Sequence, residues 1–323
     1  MKPEQLKWIA ILLGAAILLW LVPKLFRDDG SRGTVEVGTG FAFEVPDPIT
    51  RIDVIVRPGG DTIRLDRGPA GWGVNGHPAD SQKVADLLAE IDSLRSDLLV
   101  ARNPANHAAM GVVADSGRRI EIYTEAGGPL AFLVGHRDLE AGGWYVRHPD
   151  AEEVYRLEGP TGGYLGRDVT GWRDRTIATV DTSQVREILI RRPPDEEIVL
   201  RRTEAGWRVG EGAVPDTAAV QSLLRQLPLV SASGFPTDAE AAATDFEAPD
   251  AKLDVFVESE GDVTGRQLVM ALHFVQDEEA GDWLVRPADS PEVYRLAPFA
   301  VRRLLPASET LLGREPEEDG GDG

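Results

Sequence analysis

The sequence predicts an α+β chain: an N-terminal transmembrane helix followed by two similar duplicated domains, each a mainly antiparallel sheet with one amphipathic helix. Three observations carry this. A charge-free apolar run stands near the N-terminus, a set of short motifs occurs twice in the same order, and strand-like segments cluster on either side of one helical pattern in each copy. Strands grouped around a helix, rather than alternating with helices, form antiparallel sheets. The 323 residues suffice for two domains of roughly 100–200 residues each, and 42% apolar content suffices for packed cores.

The N-terminal element comes first. Trp8–Pro23 reads WIAILLGAAILLWLVP, 16 residues without a charge. Crossing the hydrocarbon core takes about 20 residues, with about 17 as the lower limit. Leu6, Leu25 and Phe26 extend the run, so residues 6–26 are the expected contact with the lipid bilayer and residues 1–27 the anchor. Lys2, Lys7, Lys24 and Arg27 flank it and can reach the headgroups. Trp8 and Trp20 stand near its ends, where indole rings favour the interface. A cleaved signal peptide is the alternative, but LVPKLFRDDG contains no A-x-A-like site after the apolar core. A first apolar segment this early starts export of the chain behind it. The expectation is a single-pass protein of the inner or cytoplasmic membrane, N-terminus inside, with the bulk extracytoplasmic (periplasmic). Residues 1–27 contribute +3 to a net charge of −20, so the exported part carries −23.

Next comes a Gly-rich linker, residues 28–48, with TVEV and FAFEV as material for an extra strand. The first repeat, 49–168, offers strands at Ile49–Val56, Thr62–Leu65, Arg119–Tyr123, Leu130–Val134, Trp144–Arg147 and Val154–Leu157. The second, 169–312, offers Val185–Ile190, Glu197–Arg202, Lys252–Val257, Leu268–Val275, Trp283–Arg286 and Val293–Leu296. All are short, rich in β-branched or aromatic residues, and bounded by Gly, Pro or Asp. Thr237–Pro249 is an Ala- and acid-rich excursion of the second copy. The acidic tail 313–323 lacks a large apolar side chain and is expected to be disordered.

The repetition is specific. AGWGV around Trp72 returns as AGWRV around Trp207, 135 residues later. WYVR at Trp144 returns as WLVR at Trp283, and VYRL around Tyr155 as VYRL around Tyr294, both at an offset of 139. Between them Val84, Leu87, Leu88 and Ile91 match Val220, Leu223, Leu224 and Leu227 at 136. That spacing predicts a helix with all four side chains on a core-facing stripe. Asp80 and Asp216, also 136 apart, stand where a helix N-cap belongs. Trp72, Trp144, Trp207, Trp283, Tyr155 and Tyr294 are therefore read as structural anchors of the repeat. Exposed tryptophans would instead indicate a carbohydrate platform. The repeated Arg147, Arg156, Arg286 and Arg295 are expected to pair with the acidic surface.

Catalytic motifs are missing. No cysteine exists, which excludes disulfides, thiol nucleophiles and thiolate metal sites. None of the five lysines completes a phosphate loop, and no G-x-S-x-G elbow or H-E-x-x-H pair occurs. The five histidines, 77, 107, 136, 148 and 273, never stand at i, i+3 or i, i+4. Neither a cofactor nor a metal is expected. The strong negative charge argues against nucleic acid as a partner.

The order I-x-x-I-x-V, A-G-W-x-V, an Asp-opened helix, W-x-V-R and V-Y-R-L resembles the "domain of unknown function 4340" family over roughly residues 49–305. The link GWRDRTI at Gly171–Ile177 is similar to that family's Arg-Asp-Lys stretch, with Arg175 in place of Lys. Its Tyr-Gly-Leu element is matched in part by Met110-Gly111-Val112 and, in the second copy, only by Thr244-Asp245-Phe246. The resemblance implies a bacterial membrane-anchored protein without established catalytic residues, related to auxiliary components of gliding-motility-type ABC transporters. The expected function is thus non-enzymatic: an auxiliary or scaffold subunit of an ABC-type transport system, partnered by a multi-span membrane protein such as its permease. The alternatives are an extracytoplasmic glycan- or peptide-binding module and a hydrolase with an inter-domain site.

Overall fold

A computed structural model describes residues 40–42, 45, 48–56, 62–92, 94–159, 161–194, 196–259 and 265–314. The expected membrane anchor, most of the linker and nearly all of the acidic tail lie outside these residues. Among the described residues no helix is long and apolar enough to cross a membrane.

The architecture is α+β and rich in sheet. In the first half, β2 (Ile49–Ile55), β3 (Thr62–Gly68), β4 (Gly71–Val74), β5 (His77–Pro78), β7 (Leu99–Ala101), β8 (Arg118–Thr124), β9 (Gly127–Arg137), β10 (Trp144–Arg147) and β11 (Val154–Leu157) form one sheet. Its order is β5-β4-β3-β2-β8-β9-β10-β11-β7. A short pair joins β1 (Phe41–Ala42) to β6 (Arg95–Ser96), so part of FAFEV does form strand. In the second half, β13 (Val185–Arg192), β14 (Glu196–Thr203), β15 (Gly206–Val209), β17 (Ala251–Glu258), β18 (Arg266–Gln276), β19 (Trp283–Pro287) and β20 (Tyr294–Leu296) form the other. It runs β15-β14-β13-β17-β18-β19-β20. Between the sheets β12 (Thr176–Ala178) pairs with β16 (Val230–Ser231). Among the described residues every strand pairing is antiparallel. Without its edge strands β5 and β7, the first sheet has the strand order of the second.

Local chemistry explains the shared hairpins. Gly68 pairs with Gly71 and Thr203 with Gly206, so Pro69-Ala70 and Glu204-Ala205 are two-residue turns. Gly71 at φ 120° and Gly206 at φ 101° take a backbone conformation that a β-carbon disfavours. The glycine of A-G-W is therefore required by the turn, and the tryptophan is the first side chain after it.

Helix α1 (Ser81–Asp92) packs on the first sheet and α4 (Thr217–Leu224) on the second. Asp80 accepts from the amides of Gln82 and Lys83 at 3.1 and 3.2 Å, and Asp216 from that of Ala219 at 2.7 Å. Both are the N-caps that the sequence predicts. The expected four-residue stripe needs correction. Val84, Leu87 and Ile91 are buried in the first core, and Val220, Leu223 and Leu227 in the second, but Leu88 and Leu224 are only half-buried. Leu227 also lies beyond the last turn of α4. A sheet covers only part of a helix surface, and the third position of the stripe, Leu88 or Leu224, falls at its border.

Two short helices close the first half, α2 (Thr161–Tyr164) and α3 (Val169–Trp172), and two the second, α6 (Pro298–Leu304) and α7 (Ser308–Leu311). Asp80 N–H donates to Trp172 O at 2.9 Å, and Asp216 N–H to Leu311 O at 2.7 Å. Trp172 and Leu311 are fully buried, each in the core of its own half. In the excursion, α5 (Asp238–Ala243) is fixed by a capping box between Thr237 and Glu240.

Candidate functional site

The anchor tryptophans are half-buried rather than enclosed: each lays its ring on a core and leaves an edge open. Trp72 and Leu88 line a cavity of about 320 Å³ between β4 and α1. Trp207 and Leu224 line one of about 400 Å³ between β15 and α4. The other pair diverges. Trp144 packs against Gly162 of α2, where an added β-carbon would stand 2.3 Å from the indole. Trp283 instead lines a cavity of about 680 Å³ with Gln276, Arg302 and Val301 of α6. Tyr155 is buried with its ring 6.2 Å from Phe41, holding β1 to the sheet, and burial raises its phenol above the usual range. Tyr294 is buried with its ring 5.8 Å from Phe235, and burial with Glu292 and Asp174 nearby raises it likewise.

Tyr294 leads to the polar junction of the two sheets, which spacing along the sequence does not reveal. His77 on β5 places Nδ1 3.1 Å from Glu292 Oε2, and Arg173 Nη2 donates to the same oxygen at 2.8 Å. Asp238 of α5 approaches His77 Nε2 at 3.8 Å, and the Arg173 guanidinium lies 3.8 Å over the Phe235 ring. Arg173 is buried, so the carboxylate compensates a cation removed from water. The backbone is tied in as well: Asp174 N–H donates to Pro78 O at 2.9 Å, and Ala232 N–H to Arg175 O at 2.8 Å. The Arg-Asp pair of the GWRDRTI link thus joins the halves. Its presence in that link was the available sequence signal; its partners at 77 and 292 left none.

The repeated arginines divide. Arg156 pairs with Asp138 at 3.7 Å, Arg295 with Asp277 at 3.0 Å and Glu240 at 2.9 Å, and Arg286 with Glu247 at 3.5 Å. Asp138 and Asp277 are 139 apart in D-x-x-A-G loops, a match legible in the sequence beside the tryptophans. Arg147 departs from the expected carboxylate pairing. It donates to the carbonyls of Val112, Pro149 and Ala151 at 3.0, 2.9 and 2.7 Å, and burial lowers its pKa. Val112 belongs to the partial Tyr-Gly-Leu element and fills a small core with Ala101 and Val154. Phe246 does the same with Leu284 and Val293 in the second half. Met110 O would stand 2.2 Å from a β-carbon at Gly135, so backbone approach fixes that loop.

Among the described residues no three His, Asp or Glu side chains are grouped to hold a metal ion. The arrangement offers contact: grooves with an aromatic wall and a rigidly tied junction.

Of the comparisons with known proteins, the one with family models agrees with the family that the motifs resemble. No curated protein and no solved structure matches the chain. A family model described as Domain of unknown function (DUF4340) matches residues 72–249, narrower than the 49–305 expected from the motifs. That span begins at the tryptophan of the first A-G-W turn, ends with the capped excursion, and covers more than half of the chain, which therefore belongs to the DUF4340 family.

Proposed function

We propose that this chain is a non-enzymatic, membrane-anchored envelope protein that serves as an auxiliary or scaffold subunit of an ABC-type transport system. The observation that carries the reading is the pair of tryptophan-lined grooves at matching places in the two halves, which supply contact surface beside an N-terminal apolar run. We read the halves as copies of one unit. In support, they share a strand order, an N-cap Asp whose amide bonds the closing helix, and an Asp–Arg ion pair at an offset of 139. Residues 1–27 anchor the chain in the inner membrane with the remainder outside the cytoplasm. A partner in that plane then meets it at high effective concentration.

The test is purification of the full chain in mild detergent. A multi-span membrane protein such as an ABC permease is expected to co-purify, and removal of residues 1–27 to release the chain and abolish its cellular role. A reporter that works only when exported, fused after Leu312, should be active. Full complementation by the exported soluble fragment, or turnover of a substrate by it alone, would overturn the scaffold reading. A glycan-binding module is the second reading, favoured by Trp283 beside Gln276 and Arg302 in the 680 Å³ cavity. Quenching of tryptophan fluorescence by cell-wall oligosaccharides, lost in Gln276→Ala, would support it.

A further inference from the structure

The geometry points to β18 as the docking edge for an extended segment of a partner protein, which adds a strand along residues 267–270 and brings β-branched side chains and a cation that meets Asp289. It is one contact of the proposed scaffold and rests on that reading. β18 pairs with β17 from Arg266, opposite Glu258, to Phe274, opposite Ala251. On its other side β19 pairs only with Leu272–Gln276, and the amide of Ala288 adds one bond to Ala271 O at 2.9 Å. Among the described residues no strand pairs with 267–270 on that side. Such an edge presents amides and carbonyls ready to pair with another chain.

A groove of about 470 Å³ runs along this edge, lined by five successive residues of β18, 268–272. Successive side chains of a strand point to opposite faces. A groove touched by five in a row therefore lies beside the backbone and not over one face of the sheet. Residues 177–179, at the end of β12, form the opposite wall, and among the described residues β12 pairs with β16 alone. The register shifts at Val269, since Met270 stands opposite Val255 but Leu268 opposite Phe256. That bulge turns two successive apolar side chains outward, leaving Leu268 49% and Val269 40% exposed.

The first half blunts the same place. β9 pairs with β10 only from Leu133 onward. Leu130 stands opposite Ile122 as Met270 does opposite Val255, and Val134 opposite Val146 as Phe274 does opposite Val285. In that register Pro129 takes the place of Val269, with Gly127 and Gly128 before it. Proline has no amide to offer, and natural sheets use it to blunt an edge. The groove also sets what fits. Unpaired backbone groups call for an extended backbone, and the apolar lining for β-branched side chains. Asp289 is the one charged residue in the lining described; it is exposed and has no hydrogen-bond or ion-pair partner among the described residues. Its complement on the segment is a lysine or arginine. A second copy fits less well, because its own edge is walled by β12 in the same way and two chains of charge −20 repel.

The experiment uses the full chain in mild detergent and a fluorescein-labelled peptide, Lys-Thr-Val-Thr-Val-Thr, read by fluorescence polarisation. Saturable binding is expected. The same peptide N-methylated throughout keeps every side chain and charge but should bind roughly tenfold or more weaker, because its amides no longer donate. Val269→Pro, which copies Pro129, and Leu268→Lys, which sets a cation on the edge, should each weaken binding by roughly tenfold or more. Leu139→Lys, at an exposed leucine outside the groove, should leave it unchanged. Asp289→Asn should weaken the lysine peptide by about two- to fivefold but not one with norleucine in place of lysine, a difference that misfolding would not produce. Absence of saturable binding, equal affinity for the N-methylated peptide, or equal losses in Leu268→Lys and Leu139→Lys would overturn the inference. So would self-association abolished by Val269→Pro, which makes a second copy the occupant, or binding seen only after deletion of residues 28–39, which makes the chain's own linker the occupant. Co-purification of a multi-span protein without peptide binding would retain the scaffold reading and reject the edge; peptide binding without co-purification would do the reverse.

Discussion

His273 shows how one residue reports its surroundings. It stands on β18 directly between Lys252 of β17 and Arg286 of β19. Burial pushes its imidazole below the usual histidine value and the two cations push the same way, against Asp254 and the Phe246 carbonyl. His148, its ring 4.9 Å from that of Phe41, is lowered by burial alone. A histidine held neutral in the fold binds its proton more readily once unfolded. Below about pH 6.5 the unfolded chain therefore takes up more protons, and stability falls as pH falls toward the folded-state value. The urea midpoint should be lower at about pH 5.5 than at about pH 7.5, with a smaller difference in His273→Gln. An unchanged difference would remove His273 from that account. Glu121, held low first of all by the hydrogen bond from Arg119, loses its contribution only below the ordinary carboxylate value of 4.5.

At the scale of elements, the corrected helix phase makes a ranking. Leu87 and Leu223 are fully buried, whereas Leu88 and Leu224 face the grooves half-buried. Leu87→Ala and Leu223→Ala should each cost about 2–5 kcal/mol in urea denaturation. Leu88→Ala and Leu224→Ala should cost about half as much, having less apolar surface to expose. Equal shifts for all four would mean that the grooves are closed in solution. The helix itself was legible, because its apolar spacing and its capping Asp are local. The surface that α1 leaves uncovered was not, since it depends on where β4 ends.

For the whole molecule, the junction decides whether the halves move together. Glu292→Gln keeps the side-chain volume but leaves the buried Arg173 without its anionic partner and His77 without its nearest carboxylate. Breaking a buried pair from one side costs on the order of 3–5 kcal/mol. Calorimetry of residues 28–323 should show a single transition with the natural sequence and a separated or broadened one in Glu292→Gln. An unaltered transition would assign the coupling to apolar packing and to the β12–β16 pair instead.

By itself the sequence determined the longer strands and the capped amphipathic helix of each half, in their order, but not the short strands β4, β7, β12, β15 and β16 or the short helices α2, α3, α5, α6 and α7. Strand alternation, the helical stripe, the glycine of each A-G-W turn and the two capping aspartates are set by neighbours a few residues away, so periodicity and spacing carry them. The second use of the same motifs was legible for the same reason. Tertiary structure alone decided which anchors are covered and which are open. Trp144 meets Gly162 while Trp283 meets a cavity, and Arg147 turns to backbone carbonyls while its counterpart Arg286 pairs with Glu247. It also decided that His77 and Glu292, 215 residues apart, share a junction with Arg173. Such contacts arise from the order in which antiparallel strands add to a sheet and from the packing of one sheet's edge on the other half. No spacing along the chain encodes either.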